Sequence, residues 1–277
     1  MKNNNIIGFI WLGLALVLTL LLFRGLGIPN GKPISFNIGN GSGIFERKSE
    51  TPKENTFPAT ELKKIALELK GTSVEISTSE DSDIHVDFSG GAEERCKVKM
   101  DGGRLSVEEK AKGLPGGMKQ KISIRIPSGK ADYVNIEIIS GSVQMEGIVA
   151  STADVDSVSG SLQLSNCKIK YLDVESVSGS TSADGEFEQF SVESISGSVK
   201  ISSGIPIAQK SRIESTSGSV KLRLPRDSDY KLEYESISGS FHDDISGTHS
   251  SKRGTLKSGN GSVPISVSTI SGSLHIE

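Results

Sequence analysis

The tripeptide Ser-Gly-Ser begins at Ser140, Ser159, Ser178, Ser196, Ser217, Ser238 and Ser271, and its flanks repeat with it: "DVDSVSGSLQL", "DVESVSGSTSA", "SVESISGSVKI", "RIESTSGSVKL". The first six triplets start 19, 19, 18, 21 and 21 residues apart. A flexible linker would not hold hydrophobic flanks in register with its glycines. Self-similarity at this period marks stacked units, none of which can bury an apolar face alone.

With each glycine as position zero, strand side chains alternate faces and are counted by twos. Positions −2, +2 and +4 are apolar: Ile195, Val199 and Ile201 around Gly197; Val158, Leu162 and Leu164 around Gly160; Ile270, Leu274 and Ile276 around Gly272. Serines fill −3, −1 and +1 on the other parity. Position −5 is apolar again (Val155, Val174, Val192, Ile213, Tyr234), so the inward face is expected to switch between −5 and −2. A bend there would leave the serines outside. Each repeat then reads as two short strands meeting at a corner, followed by a return loop such as "SSGIPIAQK". Stacked at the ~4.8 Å interstrand spacing, such units make an all-β fold, a parallel β-helix-like solenoid. The end is less regular: Gly261 and Gly272 lie too close together for both to occupy the glycine column, and the chain stops at Glu277 in a strand-like segment. An exposed terminal edge there would invite pairing with another chain.

Upstream, "KKIALEL", "TSVEIST", "DIHVDFS", "CKVKM", "RLSVEE" and "KISIRIP" alternate between turn clusters and read as short strands. His85 falls on a polar parity and reads as solvated. Aromatic residues are only 5% of the chain, which implies a thin core of Val, Ile and Leu. The net charge of −3 provides no basic field, and nucleic acid is not an expected partner. Cys96 and Cys167 sit in alternating segments and read as small buried apolar groups; a disulfide between them has no geometric support in the sequence.

The first 24 residues differ in kind. "IIGFIWLGLALVLTLLLF", Ile6 to Phe23, is followed by Arg24. In a helix it spans roughly 27 Å, which fits a lipid bilayer if Lys2 and Arg24 snorkel. A cleaved signal peptide is the rival reading, although no A-x-A site follows. The Ser-, Gly- and Thr-rich body suits an exported domain. The chain is therefore expected to comprise an N-terminal transmembrane anchor (1–24), a tether (25–60) and an extracytoplasmic β-solenoid (61–277, repeats from about 133).

Candidate chemistry is sparse. The triplets do not match the G-x-S-x-G nucleophile elbow, and none of His85, His242, His249 or His275 recurs with them. Position −4 is acidic in six repeats: Glu137, Asp156, Glu175, Glu193, Glu214 and Glu235. Stacked as a column, neighbours would repel by roughly 1 kcal/mol in water. Simple hydration at a splayed corner, lysines such as Lys200 and Lys221, a cationic partner, or a hard cation such as Ca²⁺ are the candidates to offset this. No catalytic or cofactor-binding residue is expected. A polysaccharide-processing β-helix enzyme is the alternative, since acids two coils apart have the separation that inverting glycosidases use; a uniform column, however, supplies no distinct acid and base.

The opening strands "IALELKGTSVEISTSEDSDIHVDFSG", the strand "ISIRIPSG" and the "ESISGSV" rungs together resemble the toastrack domain-of-unknown-function family of adhesin-like proteins, in particular the LiaG-like membrane-anchored proteins of bacterial envelope-stress operons. The resemblance spans about Lys63 to Glu277. It implies a non-enzymatic protein at the bacterial envelope, with a cell-wall or surface ligand or a membrane signalling protein as partner.

Overall fold

The computed structural model describes residues 55–59, 62–110, 119–128, 130–244 and 252–277. The anchor segment Ile6–Phe23 lies outside the described residues, and among those described no helix is long and apolar enough to cross a membrane. The fold is all-β, and among the described residues a single 3-10 turn occurs, at Ala92–Glu94.

A first group of strands precedes the repeats: β1 (Asn55–Pro58), β2 (Lys64–Leu69), β3 (Ser73–Ser79), β4 (Asp83–Ser89), β5 (Cys96–Asp101), β6 (Arg104–Glu109) and β7 (Lys121–Pro127). The six upstream strand patterns all form, and β1 adds a strand inside the segment read as tether. The repeats comprise β8 (Lys130–Glu146), β9 (Val149–Ser178), β10 (Thr181–Ser196), β11 (Val199–Ser203), β12 (Ser211–Ser217), β13 (Val220–Arg223), β14 (Tyr230–Ser238), β15 (Phe241–Asp243), β16 (Arg253–Ser258), β17 (Val263–Ser271) and β18 (Leu274–Ile276).

Each coil has a leg before its glycine and a leg after it, and like legs stack in parallel. Along the leg before the glycine, β2, β8, β9, β10, β12, β17 and β14 follow one another. The second legs stack likewise, ending β11, β13, β18, β15. In β9 and β10 the return is itself a strand, pairing Cys167–Ile169 with Gly185–Phe187.

The glycines trace one line. A Cβ on Gly160 would collide with the carbonyl oxygen of Gly141, and the same holds along the file for Gly179 on Gly160, Gly197 on Gly179 and Gly218 on Gly197. A side chain is excluded wherever another coil lies behind. The file continues to Gly272 and only then to Gly239. The last triplet in sequence is thus inserted between the fifth and sixth, Gly261 is the glycine off the column, and β18 lies between β13 and β15. The terminal strand is therefore not the exposed edge that its position in the sequence suggested. The outer strand is β14, covered by antiparallel β16; at this end Tyr234 and Phe241 stack at 3.7 Å between ring centroids. Beyond them, among the described residues, β15 is paired on one side, by β18.

The inward face differs from the expected one. Positions −5, +2 and +4 are buried, but so is −3: Ser176, Ser194, Ser215, Ser236 and Thr269 point into the interior. Position −2 lies outside, with Ile139 44% and Ile237 46% exposed. The switch of faces falls at the glycine, not before −2. The glycines at 179, 197, 218 and 272 have φ between +129° and +147°. Such a residue reverses the peptide plane, and period-two counting fails across it.

The first coil lacks the triplet. Leu69 aligns with Ile138 and Val74 with Val143, which puts Thr72 in the glycine position. Among the described residues no carbonyl of a neighbouring coil accepts from its corner N–H groups. Instead the buried Glu109 carboxylate accepts hydrogen bonds from the N–H groups of Lys70 (2.7 Å), Gly71 (3.0 Å) and Thr72 (3.1 Å). Arg95 pairs with it at 2.8 Å and donates to Gln120 at 3.0 Å. Burial raises the Glu109 pKa, but the three N–H groups outweigh it and hold the carboxyl below its ordinary value.

Candidate functional site

The outward face of the leg before the glycine carries positions −2, −4, −6 and −8 as four parallel columns. Two-residue alternation puts these positions on one side, and parallel in-register stacking makes each position a file. The −4 file contains Glu137 opposite Asp156, Glu175 opposite Glu193, and Glu193 opposite Glu214. Upstream it extends through Glu68, which pairs with Glu137 on one side and Glu108 on the other.

Of the six acids expected to stack, five are contiguous. Ser268 of the inserted strand separates Glu214 from Glu235, whose other neighbour is Arg253. Glu235 therefore leaves the column, because the chain order of the last two coils is not their spatial order. The expected lysines are also elsewhere: Lys221 lies in the leg after the glycine and pairs with Glu277 at 2.5 Å, and Lys200 is on that leg too. A cation that meets the column is Arg212, at position −6. Its guanidinium pairs closely with Glu193, stands 3.8 Å from Glu214, and donates from Nε to Ser191 at 3.2 Å.

Arg212 divides the file. At Glu193 and Glu214 a guanidinium offsets the carboxylates, although burial, ahead of the opposing pull of Arg212, still leaves Glu214 above its ordinary value. Around Glu175 acids prevail. Half-burial, then the charges of Asp156, Glu193, Asp173 and Asp154, push its pKa up to about 7. Two tyrosines of the −8 file flank this cluster. Tyr133 donates its hydroxyl to Asp154 at 3.0 Å and Tyr171 to Asp173 at 3.0 Å. Burial and the Asp154 contact raise Tyr133 to about 12, and Lys64 lies 4.3 Å from its ring centroid.

The result is a flat face with phenol rings on one side, carboxylates in the middle and the aliphatic −2 file at the corner. The −2 ridge and the two tyrosines were not singled out from the sequence. The tyrosines vary from coil to coil, and the ridge was assigned inward. Serine hydroxyls beside the ridge bond across coils, Ser198 to Ser180 and Ser273 to Ser219, each at 3.1 Å.

Cys167 is buried and Cys96 half-buried, and both are free thiols; burial, then the Glu109 charge, pushes Cys96 to about 11. His85, read as solvated, is largely covered and stands 3.2 Å from Asp81. His249 lies outside the described residues. A shallow depression of 360 Å³ lies farther along the same face, between β14, β16 and β17, and is lined by Glu235, Ser268 and Arg253 among others.

The profile of the family described as Toastrack DUF4097 matches twice, over residues 62–205 and 131–277. The overlap follows from repetition, since either stretch contains enough coils to satisfy it. No curated protein gives a significant match. Among solved structures, a candidate adhesin from Bacteroides fragilis superposes with a TM-score of 0.54 at 15% identity, covering 83% of this chain and 98% of that one. A candidate cell adhesion protein from Clostridium sporogenes aligns with a TM-score of 0.39 at 14% identity, over 82% and 99% of the two chains.

Proposed function

The chain belongs to the Toastrack DUF4097 family, and from that premise we propose a non-catalytic interaction protein of the bacterial cell envelope, held to the membrane by Ile6–Phe23 and displaying residues 61–277 outside it. The observation that carries the reading is the outward carboxylate file from Glu137 to Glu214, bordered by Tyr133 and Tyr171. A file of like groups one coil apart suits a repetitive partner, each unit meeting an equivalent coil. Carboxylates and phenols on a flat face are the groups that bind sugar hydroxyls and cationic polymer substituents. A cell-wall polymer is the partner class with that chemistry, and an envelope-stress signalling protein of the membrane is the second.

The test uses the full chain in nanodiscs against purified cell-wall polymers, with Asp156→Asn, Asp173→Asn and Glu175→Gln combined as the comparison. Binding that is lost in the triple variant supports the surface; binding that is unchanged removes it. Protease added to intact cells reads the orientation, since an outer domain is trimmed and an inner one is protected. Calcium is the simplest cationic ligand for the file. Millimolar Ca²⁺ should raise the melting temperature of the wild type and leave the triple variant unmoved, whereas an unchanged wild-type midpoint excludes it.

One observation favours the alternative, a polysaccharide-processing enzyme. The file is not uniform: Glu175 titrates near 7 among acids that repel its charge, the asymmetry that an acid–base pair of carboxyls needs. Release of reducing ends from any envelope polysaccharide, abolished by Glu175→Gln, would establish it.

A further inference from the structure

At the far end of the solenoid, three side chains outside the carboxylate face converge. His242 of β15 and His275 of β18 are direct partners in parallel register. Both occupy position +3 of their coils, so the stacking that builds the other files puts these imidazoles one above the other. Asp244 lies two residues beyond His242. His242 Nε2 is 2.6 Å from one oxygen of Asp244, and His275 Nε2 is 2.9 Å from the other. The rings meet edge-on with centroids 4.8 Å apart and planes at 67°. One donor atom from each residue lies within 4.8 Å of the others.

We propose that His242, Asp244 and His275 bind a divalent transition-metal ion of the zinc class. Two imidazole nitrogens and a carboxylate oxygen suit Zn²⁺, Ni²⁺ or Cu²⁺ and disfavour Ca²⁺, which takes oxygen ligands in greater number. Nitrogen donors one coil apart can close on an ion that prefers ~2.0–2.1 Å bonds with small rotations about their side-chain torsions, while the coordination positions left open take water. Their partial exposure (His242 46%, His275 32%, Asp244 47%) gives an ion a path in. Glu277, 3.8 Å from His275 Nε2 and paired with Lys221, is a further carboxylate beside the cluster.

The placement supplies a consequence. Among the described residues β15 has one partner strand, β18, and is short. An ion shared by His242 and His275 ties this strand to its neighbour by side chains as well as by backbone, closing the open end of the sheet. This role is independent of the carboxylate face, which lies on the other leg of the coil.

The experiment takes the full chain in detergent, purified without a histidine tag and stripped with chelator, and titrates it with ZnCl₂ by calorimetry and with CoCl₂ by visible absorption. The expected result is one ion per chain, a cobalt spectrum of nitrogen ligation, and a higher melting temperature with zinc. His242→Gln and His275→Gln should each weaken binding at least tenfold, while His85→Gln, on β4, leaves it unchanged. No saturable zinc binding overturns the proposal, as does binding that survives both substitutions. Far-UV circular dichroism of each variant reads the fold separately, and the cobalt spectrum of the wild type requires no substitution at all.

Discussion

The corner at Lys70–Thr72 and the corners of the repeats solve one problem by opposite means. In the repeats the chain turns at a glycine whose missing side chain makes room for the carbonyl of the coil behind, and the corner N–H groups bond the next coil: Gly197 N–H to Ser217 and Gly218 N–H to Ser271. At the first corner β6 and β7 lie behind, and the residues joining them, 111–118, are not among those described. A side chain is allowed there, Thr72, and the stranded N–H groups are taken by one buried carboxylate, Glu109. Repetition lets backbone satisfy backbone, whereas an end needs a group made for it.

The largest expected effect sharpens that contrast at a glycine. Gly197→Val combines a φ of +130° with a collision against backbone, so neither side-chain rotation nor a small shift relieves it. The loss should exceed ~4 kcal/mol, read as disappearance of the cooperative melting transition. Gly91→Ala is the control: it has φ +81° but open space around the added methyl, and should cost only about 1–2 kcal/mol. Equal effects at the two sites would break the close-approach argument.

At the other corner, Glu109→Gln removes the charge that three N–H groups and Arg95 share. Breaking one partner of a buried pair costs about 3–5 kcal/mol, measured by denaturant unfolding. The pH dependence has a definite sign. The folded carboxyl is held below its ordinary value, so its contribution is complete above about 4.5 and is lost as pH falls through the folded pKa. The wild type should lose stability over that range more steeply than the variant.

These two corners also mark how much of the fold is legible in sequence. The glycine file is legible because each coil states it again, and seven statements fix a period. Glu109 is stated once, thirty-seven residues from Thr72 along the chain, and nothing in "RLSVEE" separates it from the solvated Glu108 beside it. The insertion of β17 and β18 between earlier coils is hidden for a related reason. Periodicity gives the order of repeats along the chain and says nothing of their order in space. The same gap moved Glu235 off the carboxylate file. The inverted assignment of −2 and −3 has another origin: hydrophobicity is a reliable guide to burial along a straight strand, and the corner residues are not on one.

That inversion makes a third, smaller prediction. Among the described residues, the hydroxyls of Ser194, Ser215, Ser236 and Thr269 are buried without a hydrogen-bond partner. An unpaired buried hydroxyl carries a desolvation penalty on the order of 1 kcal/mol or more. Ser215→Ala should therefore leave stability unchanged or raise it by up to ~1 kcal/mol, in contrast to the repeat's glycine. A loss above ~1 kcal/mol would show that the serine file bonds along its length.

The smallest effect concerns the carboxylate face. Glu175 is raised to about 7 by half-burial and by the charges of Asp156, Glu193, Asp173 and Asp154, so the folded state holds a proton that the unfolded chain releases near 4.3. Stability therefore falls as pH rises between those values and stays reduced above them. Glu175→Gln keeps the shape without the charge. Its melting temperature should match the wild type at about pH 4.5 and exceed it at pH 8, by an amount kept small by the solvent that screens a half-exposed group. The offset should shrink in high salt, since screening weakens the repulsion of the neighbours but not the cost of burial. Glu193→Gln, beside Arg212, should move the other way at pH 8, because there the charge that is removed has a partner. If both substitutions stabilise, the guanidinium does not divide the file, and the face is one continuous acidic strip from Glu137 to Glu214.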